Sequence, residues 1–252
     1  MSLRIQRGGP WAAQLLSEVP ARGTGAWLQE RGRVLKRDSH SLVALAEVQG
    51  ETCYLKYYAA KKGLQRAGFA LGLGRGVRAY DSAVCLATAG IPVPAAKACL
   101  LLDDGMLLVA EGMPGARDLK AIWVEAPATD EQQMLLSLAG ELLATLHGGG
   151  FAHGDCKWSN LLWSHNRFYL VDLEAVTRCA VGHRRQARDL ARFTVNAEDL
   201  GVKAVDYQFF LDAYCAGTGF TAAQLTGLMR PDLDRLRERH RQKYGERGAR
   251  LL

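Results

Sequence analysis

Short apolar runs separated by turn-forming residues occupy the first quarter of the chain. Gln49-Gly50 and the polar segment 37–41 divide this region into three strand-like runs, and the last run is rich in strand-forming residues. The runs are Arg33–Lys36, Leu42–Val48 and Thr52–Tyr58. The pattern predicts a three-stranded meander, with Lys56 on its third strand.

Helical spacing becomes common after the meander. Apolar residues recur every three or four positions in 77–89, which ends at Gly90, and in 131–147, which three glycines follow. Between them, the turn Asp103-Asp104-Gly105 predicts a hairpin of 98–102 with 106–110. Residues 168–173 are strand-like. The remaining predicted helices are 185–195, 207–214 and a strongly basic one at 230–252.

Strands come first and helices later, which is typical of an α+β protein. The segment Glu111–Gly115 has the character of a linker between two lobes. We therefore predict a small antiparallel-sheet N-lobe over residues 1–111 and a mainly helical C-lobe over residues 112–252.

Composition narrows the class of protein only modestly. The net charge of +6 favours anionic partners such as nucleotides, phosphorylated sugars, anionic lipid or nucleic acid. Six cysteines are scattered without a CxxC pair, which argues against a zinc site and favours reduced thiols in a cytosolic protein. No run approaches the roughly 20 apolar residues of a membrane span.

The segment HGDCKWSN, residues 153–160, carries the strongest chemical signal, together with YLVDLE at 169–174. An aspartate, an asparagine five residues later, and a strand ending in a second aspartate form the layout of kinase catalytic loops. Asp155 can accept the proton of an attacking hydroxyl, and Lys157 can offset the charge of the migrating phosphate. Asn160 and Asp172 offer the hard oxygen ligands that Mg²⁺ prefers.

Candidate ATP-binding residues lie in the N-terminal half. Lys56 occupies the third strand, where a kinase lysine contacts the α- and β-phosphates. No GxGxxG motif precedes it, so we expect the turn around Ser39 to cover the phosphates with side chains or turn amides. Glu111, at the start of the linker, completes the predicted ATP-binding set.

Six segments resemble the lipopolysaccharide kinase family, the heptose and Kdo kinases of Gram-negative bacteria within the protein-kinase-like superfamily. In chain order they are YLKYY around Lys56, AGIPVP at Ala89–Pro94, HGDCKWSNLLW at His153–Trp163, FYLVDLEAV at Phe168–Val176, RRQARDLARF at Arg184–Phe193 and FFLDAY at Phe209–Tyr214. The resemblance covers about residues 30–215. It implies a bilobal protein-kinase-like fold and a cytoplasmic enzyme, peripheral on the inner membrane, that uses ATP and Mg²⁺ to phosphorylate a sugar hydroxyl of lipopolysaccharide core.

Carried over by residue, the resemblance makes Lys56 the phosphate-binding lysine, Asp155 the base, and Asn160 and Asp172 the metal ligands. It also implies that Asp189 braces the catalytic loop, although a helix-surface charge is the alternative. Two departures stand out. The family often has a glutamate where this chain has Ala79, and Asp81 is the nearest acid but points elsewhere on a helix. Glu174 lies two residues after Asp172, at the position where the DFG motif of protein kinases has glycine. It is either a metal ligand or a solvent-facing charge.

Three other functions stay open. A small-molecule kinase of the aminoglycoside or choline type also uses HGD, but usually with His-Pro where this chain has Lys157-Trp158. A protein kinase would need an APE-like segment and a glycine-rich loop. A pseudokinase or regulatory nucleotide-binding module fits the missing glutamate. The basic stretches 61–66 and 230–250 are candidate membrane contacts or ordinary solvated helices, and no nucleic-acid recognition motif is present.

Overall fold

The computed structural model describes residues 3–60, 68–69, 71–245 and 247–252. Contacts divide the chain into two compact units. The first comprises Met1–Thr88 and Val93–Gly115, and the second comprises Ala89–Pro92 and Ala116–Leu252. The division therefore follows Gly115 rather than Glu111. A hydrogen bond from the Gly112 amide to the Thr52 carbonyl (2.9 Å) keeps the start of the predicted linker on the sheet.

Among the described residues, the first unit contains a six-stranded antiparallel sheet with strand order β1-β5-β6-β4-β3-β2. The strands are β1 (Arg4–Arg7), β2 (Gly32–Arg37), β3 (Ser41–Val48), β4 (Glu51–Ala59), β5 (Ala96–Leu101) and β6 (Gly105–Glu111). The predicted meander is confirmed as β2-β3-β4. Gln49 and Gly50 have φ of 53° and 75°, as a two-residue hairpin turn with the correct twist requires.

Each face of this sheet packs against helices. Side chains alternate between faces along a strand, so Leu100 and Leu107 join one core cluster while Leu101 and Met106 join another. The first cluster includes α1 (Pro10–Glu18) and α2 (Thr24–Arg31), and the second includes α3 (Arg75–Thr88). The pattern did not predict β1, α1 or α2, because these elements are short and their polar positions interrupt the apolar spacing.

The second unit is mainly helical. Its helices are α4 (Leu119–Val124), α5 (Thr129–Gly148), α6 (Arg184–Asp199), α7 (Ala204–Thr218) and α8 (Ala222–Tyr244). Helices α5 and α7 pack closely at Gly140, where a Cβ would lie 2.5 Å from the Phe210 carbonyl oxygen. Helix α6 packs against α8. Trp158, Phe193 and Phe210 form successive ring contacts at centroid distances of 5.2 and 4.3 Å, which join the catalytic segment to the helical core.

Short strands frame the catalytic segment of this unit. They are β7 (Arg117–Asp118), β8 (Phe151–Ala152), β9 (Leu161–Ser164), β10 (Arg167–Leu170) and β11 (Thr177–Arg178). They form a three-stranded sheet, β10-β9-β7, and a β11-β8 pair. The strand predicted over 168–173 is thus shorter, because Asp172 adopts the left-handed backbone conformation with φ of 62°, which ends strand pairing.

The basic C-terminal helix begins and ends earlier than predicted. Thr221 and Gln224 form a capping box at its start, and Gly245 with φ of 75° follows its last residue. Arg237 pairs with Glu198 of α6, and Arg241 pairs with Glu238 within the helix at 2.8 Å. The other candidate membrane contact, 61–66, lies outside the described residues. Over the described ranges, no helix combines the length and apolar character needed to cross a bilayer.

Candidate active site

The catalytic loop leaves β8 and turns tightly before β9. The amide of Lys157 donates to the Asp155 carbonyl (2.9 Å), and the amide of Asn160 donates to the Lys157 carbonyl (2.8 Å). Gly154 permits this path: its φ is +81°, and a Cβ there would lie 2.5 Å from the Ala175 carbonyl oxygen. The turn brings together the side chains of Asp155, Lys157 and Asn160, the three candidate residues that the sequence predicted in this segment.

Asp155 sits among three hydrogen-bond donors. Its Oδ2 accepts from Lys157 Nζ at 2.8 Å and from Asn160 Nδ2 at 3.3 Å, and Asn160 Nδ2 also donates to the Asp155 carbonyl at 2.8 Å. Arg192 Nη1 contacts Oδ1. The side chain of Asp155 is 29% exposed and that of Lys157 is 39% exposed, so both are reachable by a substrate.

These donors set the protonation state of Asp155. Partial burial raises the pKa of its carboxyl, but the hydrogen bond from Lys157 and the positive charges of Lys157 and Arg192 outweigh burial. The pKa of Asp155 is therefore lowered below its ordinary value, and the group is an ionised carboxylate at neutral pH. An ionised carboxylate is the form that can accept a proton.

His153 is buried and orients the loop. Burial lowers its pKa, and this effect exceeds the opposing influence of Asp189 and of the bond to Val171. Its Nδ1 accepts from the Asp155 amide (3.3 Å) and its Nε2 lies 3.0 Å from the Val171 carbonyl. The neutral tautomer with a proton on Nε2 satisfies both contacts. His153 thus fixes the backbone of Asp155 and the segment that precedes Asp172.

Asp189 braces the catalytic loop, as the resemblance implied. It is 1% exposed, and its carboxylate accepts from the amides of His153 (2.5 Å) and Gly154 (2.9 Å). His147 Nε2 lies 3.6 Å from the same carboxylate, and His147 Nδ1 is hydrogen-bonded with the Tyr214 hydroxyl at 2.8 Å. The surface-charge alternative for Asp189 is wrong, because its carboxylate is buried among these groups.

Arg192 is a residue of this candidate site that the sequence did not predict. It lies three residues after Asp189 on α6, and that spacing places both side chains on one helix face. The signal was therefore present in RRQARDLARF. The spacing alone could not show that Arg192 reaches Asp155, since that contact depends on how the loop packs against α6.

The predicted metal ligands lie at the ends of adjoining segments. The Val171 amide donates to the Asn160 carbonyl (3.0 Å), which ties the residue before Asp172 to Asn160. The side-chain nitrogen of Asn160 faces Asp155, which leaves its amide oxygen for a cation. The oxygen donors of Asn160 and Asp172 fit Mg²⁺ by ligand chemistry. Glu174 lies in the one-turn 3₁₀ helix that follows and is partly exposed.

The remaining candidate residues belong to the first unit. Lys56 lies on β4 opposite Val43 and Leu108, and its Nζ is 5.4 Å from the centre of the Tyr58 ring. Ser39 is exposed in the turn between β2 and β3. Glu111 ends β6, and its carboxylate accepts from the Ala95 amide at 3.1 Å.

The helix position that departs from the family pattern has a clear local structure. Ala79 is buried against the sheet. Asp81 forms a two-pronged ion pair with Arg7 of β1, at 2.7 and 3.0 Å. This agrees with the expectation that Asp81 points elsewhere, since both of its oxygens bind Arg7.

Comparison with known proteins identifies the class. The lipopolysaccharide kinase (Kdo/WaaP) family matches residues 25–214, a range that holds every candidate site residue described above. The match covers well over half of the chain, so the protein belongs to that family. It is therefore a phosphotransferase that acts on a sugar hydroxyl, and membership implies ATP as donor and lipopolysaccharide as acceptor.

Solved structures are similar in fold. One is "WaaP in complex with acyl carrier protein", with a TM-score of 0.58, 19% identity, and coverage of 94% of this chain and 99% of that chain. Another is an aminoglycoside-3'-phosphotransferase of type VIII, with a TM-score of 0.56, 20% identity, and coverage of 90% and 99%. No curated protein sequence gives a significant match. The likeness confirms the predicted α+β protein-kinase-like fold.

Proposed function

We propose that this protein is an ATP- and Mg²⁺-dependent kinase that phosphorylates a hydroxyl of a heptose or Kdo sugar in the lipopolysaccharide inner core. The observation that carries the proposal is the ionised Asp155 beside Lys157 and Asn160, on a loop braced by Asp189. The resemblance to the lipopolysaccharide kinases implies an acceptor on the inner leaflet of the inner membrane, so we propose peripheral action at the cytoplasmic face of that membrane.

In this mechanism, Asp155 is the base. The acceptor hydroxyl oxygen forms a bond to the γ-phosphorus of ATP, the bond from that phosphorus to the β,γ-bridging oxygen breaks, and ADP leaves. The hydroxyl proton passes to an Asp155 carboxylate oxygen. One of the contacts now made by Lys157 and Arg192 must loosen to free that oxygen.

Lys157 is the contact we expect to loosen. It is the more exposed of the two cations, at 39% against 28% for Arg192. Its ammonium can turn from Asp155 to the migrating phosphate and offset the charge there. Arg192 then keeps the carboxylate oriented and lowers its pKa.

Asn160 and Asp172 are the proposed magnesium ligands. When bound, Mg²⁺ neutralises the charge of the phosphates that are being separated. Asn160 has a second role, because its side-chain nitrogen holds Asp155 while its oxygen is left for the cation. For ATP we propose phosphate binding by Lys56, with Ser39 and Glu111 as further contacts of the first unit.

The direct test is transfer of labelled γ-phosphate from Mg-ATP into lipopolysaccharide extracted from cells that lack this protein. We expect label in the core oligosaccharide, and a loss of about 10²–10⁴-fold with Asp155→Asn, the usual contribution of a catalytic base. Circular dichroism of the variant checks that it is folded. A folded, fully active variant would refute the assigned mechanism.

The same assay separates the alternatives. Label that enters a soluble sugar or amino-alcohol but no lipopolysaccharide would favour a small-molecule kinase, whose fold this chain shares. Binding of Mg-ATP without transfer to any acceptor would favour a pseudokinase or regulatory module.

A further inference from the structure

A cavity of about 470 Å³ lies in the second unit beside the catalytic loop. Lys157 and Ser159 of the catalytic segment and Arg192 of α6 form part of its wall, and side chains of α8 form another part. Volumes of a few hundred Å³ are typical of small-molecule sites. The cavity is therefore large enough to hold a sugar unit next to the residues that contact Asp155.

Positive charge dominates its lining. We call it the basic pocket, after the five permanent cations that line it: Lys120, Lys157, Arg192, Arg239 and Arg247. Among the described lining residues, Asp199 is the one carboxylate, and it is hydrogen-bonded with His240 at 2.6 Å. Five cations around a single lining carboxylate leave a net positive charge in the lining, which a bound anion would offset.

Three of these cations are not neutralised by the catalytic carboxylate. Lys157 and Arg192 are matched by Asp155. In the described part of the chain, Lys120 and Arg239 have no ion-pair partner, and the Arg247 guanidinium lies 4.8 Å from the centre of the Tyr244 ring. The pocket thus presents an uncompensated positive field to whatever occupies it.

The position of the pocket argues that its anion comes from the acceptor rather than from ATP. The proposed metal ligands Asn160 and Asp172 are not among its described lining residues, whereas Lys157, next to the base, is. Its α8 wall also lies beyond residue 214, where the family match ends. Because α8 lies outside the residues that match the family, its side chains are suited to select the particular acceptor rather than to bind ATP.

We propose that the basic pocket binds an anionic group, a phosphate ester or a carboxylate, carried by the acceptor saccharide near the hydroxyl that is phosphorylated. This inference rests on the proposed function. It makes Arg239 and Arg247 specificity residues, which contact the acceptor but not the reacting atoms. It also makes negative charge on the acceptor a requirement for tight binding.

The test compares wild type with Arg239→Gln/Arg247→Gln in the labelled-phosphate assay. We expect the acceptor KM to rise about tenfold or more, as loss of charge-assisted contacts implies, with kcat and the KM for ATP unchanged. Arg230→Gln is the matched control: Arg230 is exposed on the same helix and does not line the pocket. Its KM should equal that of wild type.

The acceptor is then varied in parallel. Phosphatase treatment removes its phosphate esters, and reduction of its carboxyl groups removes its carboxylates. The treatment that removes the group bound by the basic pocket should raise the acceptor KM of wild type. It should also abolish the difference in acceptor KM between wild type and the double variant. An unchanged acceptor KM in the double variant, or a rise in the KM for ATP instead, would overturn the proposal.

Failure of the proposed function is distinguishable. If wild type transfers no phosphate to any acceptor, calorimetric binding of the isolated core oligosaccharide still tests the pocket. Binding that the double variant weakens and Arg230→Gln preserves supports the pocket without the reaction, whereas equal binding by all three proteins refutes it.

Discussion

Replacing Asp189 by asparagine perturbs the carboxylate that holds the catalytic loop. The wild-type side chain accepts two amide hydrogen bonds, from His153 at 2.5 Å and Gly154 at 2.9 Å, in a site that is 1% exposed. Asparagine has almost the same size but keeps one acceptor oxygen. Its NH₂ group then faces one of the two amides, so one buried donor loses its partner.

The expected cost follows from these contacts. A hydrogen bond to a charged group contributes about 1.5–3 kcal/mol, so losing one and weakening the other costs about 3–5 kcal/mol. Removing the buried charge offsets part of this cost, because the ion no longer has to be desolvated. We expect the free energy of unfolding of the second unit to fall by about 2–4 kcal/mol. We also expect a lower kcat, because Asp155 lies on the loop that Asp189 holds in place.

Urea unfolding followed by tryptophan fluorescence measures this change, and Trp158 reports on the catalytic segment. The control is Glu141→Gln, the same carboxylate-to-amide change at an exposed position of α5. It should alter stability by less than about 0.5 kcal/mol. If Asp189→Asn behaves like the control, the bracing role is wrong.

Two further predictions concern titration. Arg192→Gln removes a cation that lowers the pKa of Asp155, so the acidic limb of the pH profile of kcat/KM should move to higher pH. Arg192→Lys keeps the charge and should return the limb most of the way to its wild-type pH. An acidic limb that Arg192→Gln leaves unchanged contradicts the positioning role of Arg192. His153 has a folded-state pKa below its ordinary value of about 6.5, so the unfolded state binds the proton more tightly. Stability should therefore fall as pH drops below about 6.5, and His153→Gln should flatten that slope in urea titrations at pH 5–7. A wild-type slope that persists in the variant would assign the effect to another group.

The part of the site formed by residues close together in the chain could be predicted from the sequence. Asp155, Lys157 and Asn160 lie within six residues, and one tight turn with its own backbone hydrogen bonds brings them together. The meander was equally predictable, because period-two burial and the Gln49-Gly50 turn are local features. The sequence also predicted a strand at Lys56, a turn at Ser39 and the start of a linker at Glu111. The contacts of these three residues with ATP stay predictions.

Long-range packing determined the rest. The Arg192–Asp155 contact joins residues 37 positions apart, and Arg7–Asp81 joins residues 74 apart. No spacing rule reaches across such separations, because periodicity says which face of an element is apolar but not which element will cover it. The same holds for the basic pocket: the sequence showed that 230–250 is rich in arginine, and only the packing of α8 against α6 placed Arg239 in the same cavity lining as Lys157. Composition thus determined the charge, and the tertiary structure decided where that charge acts.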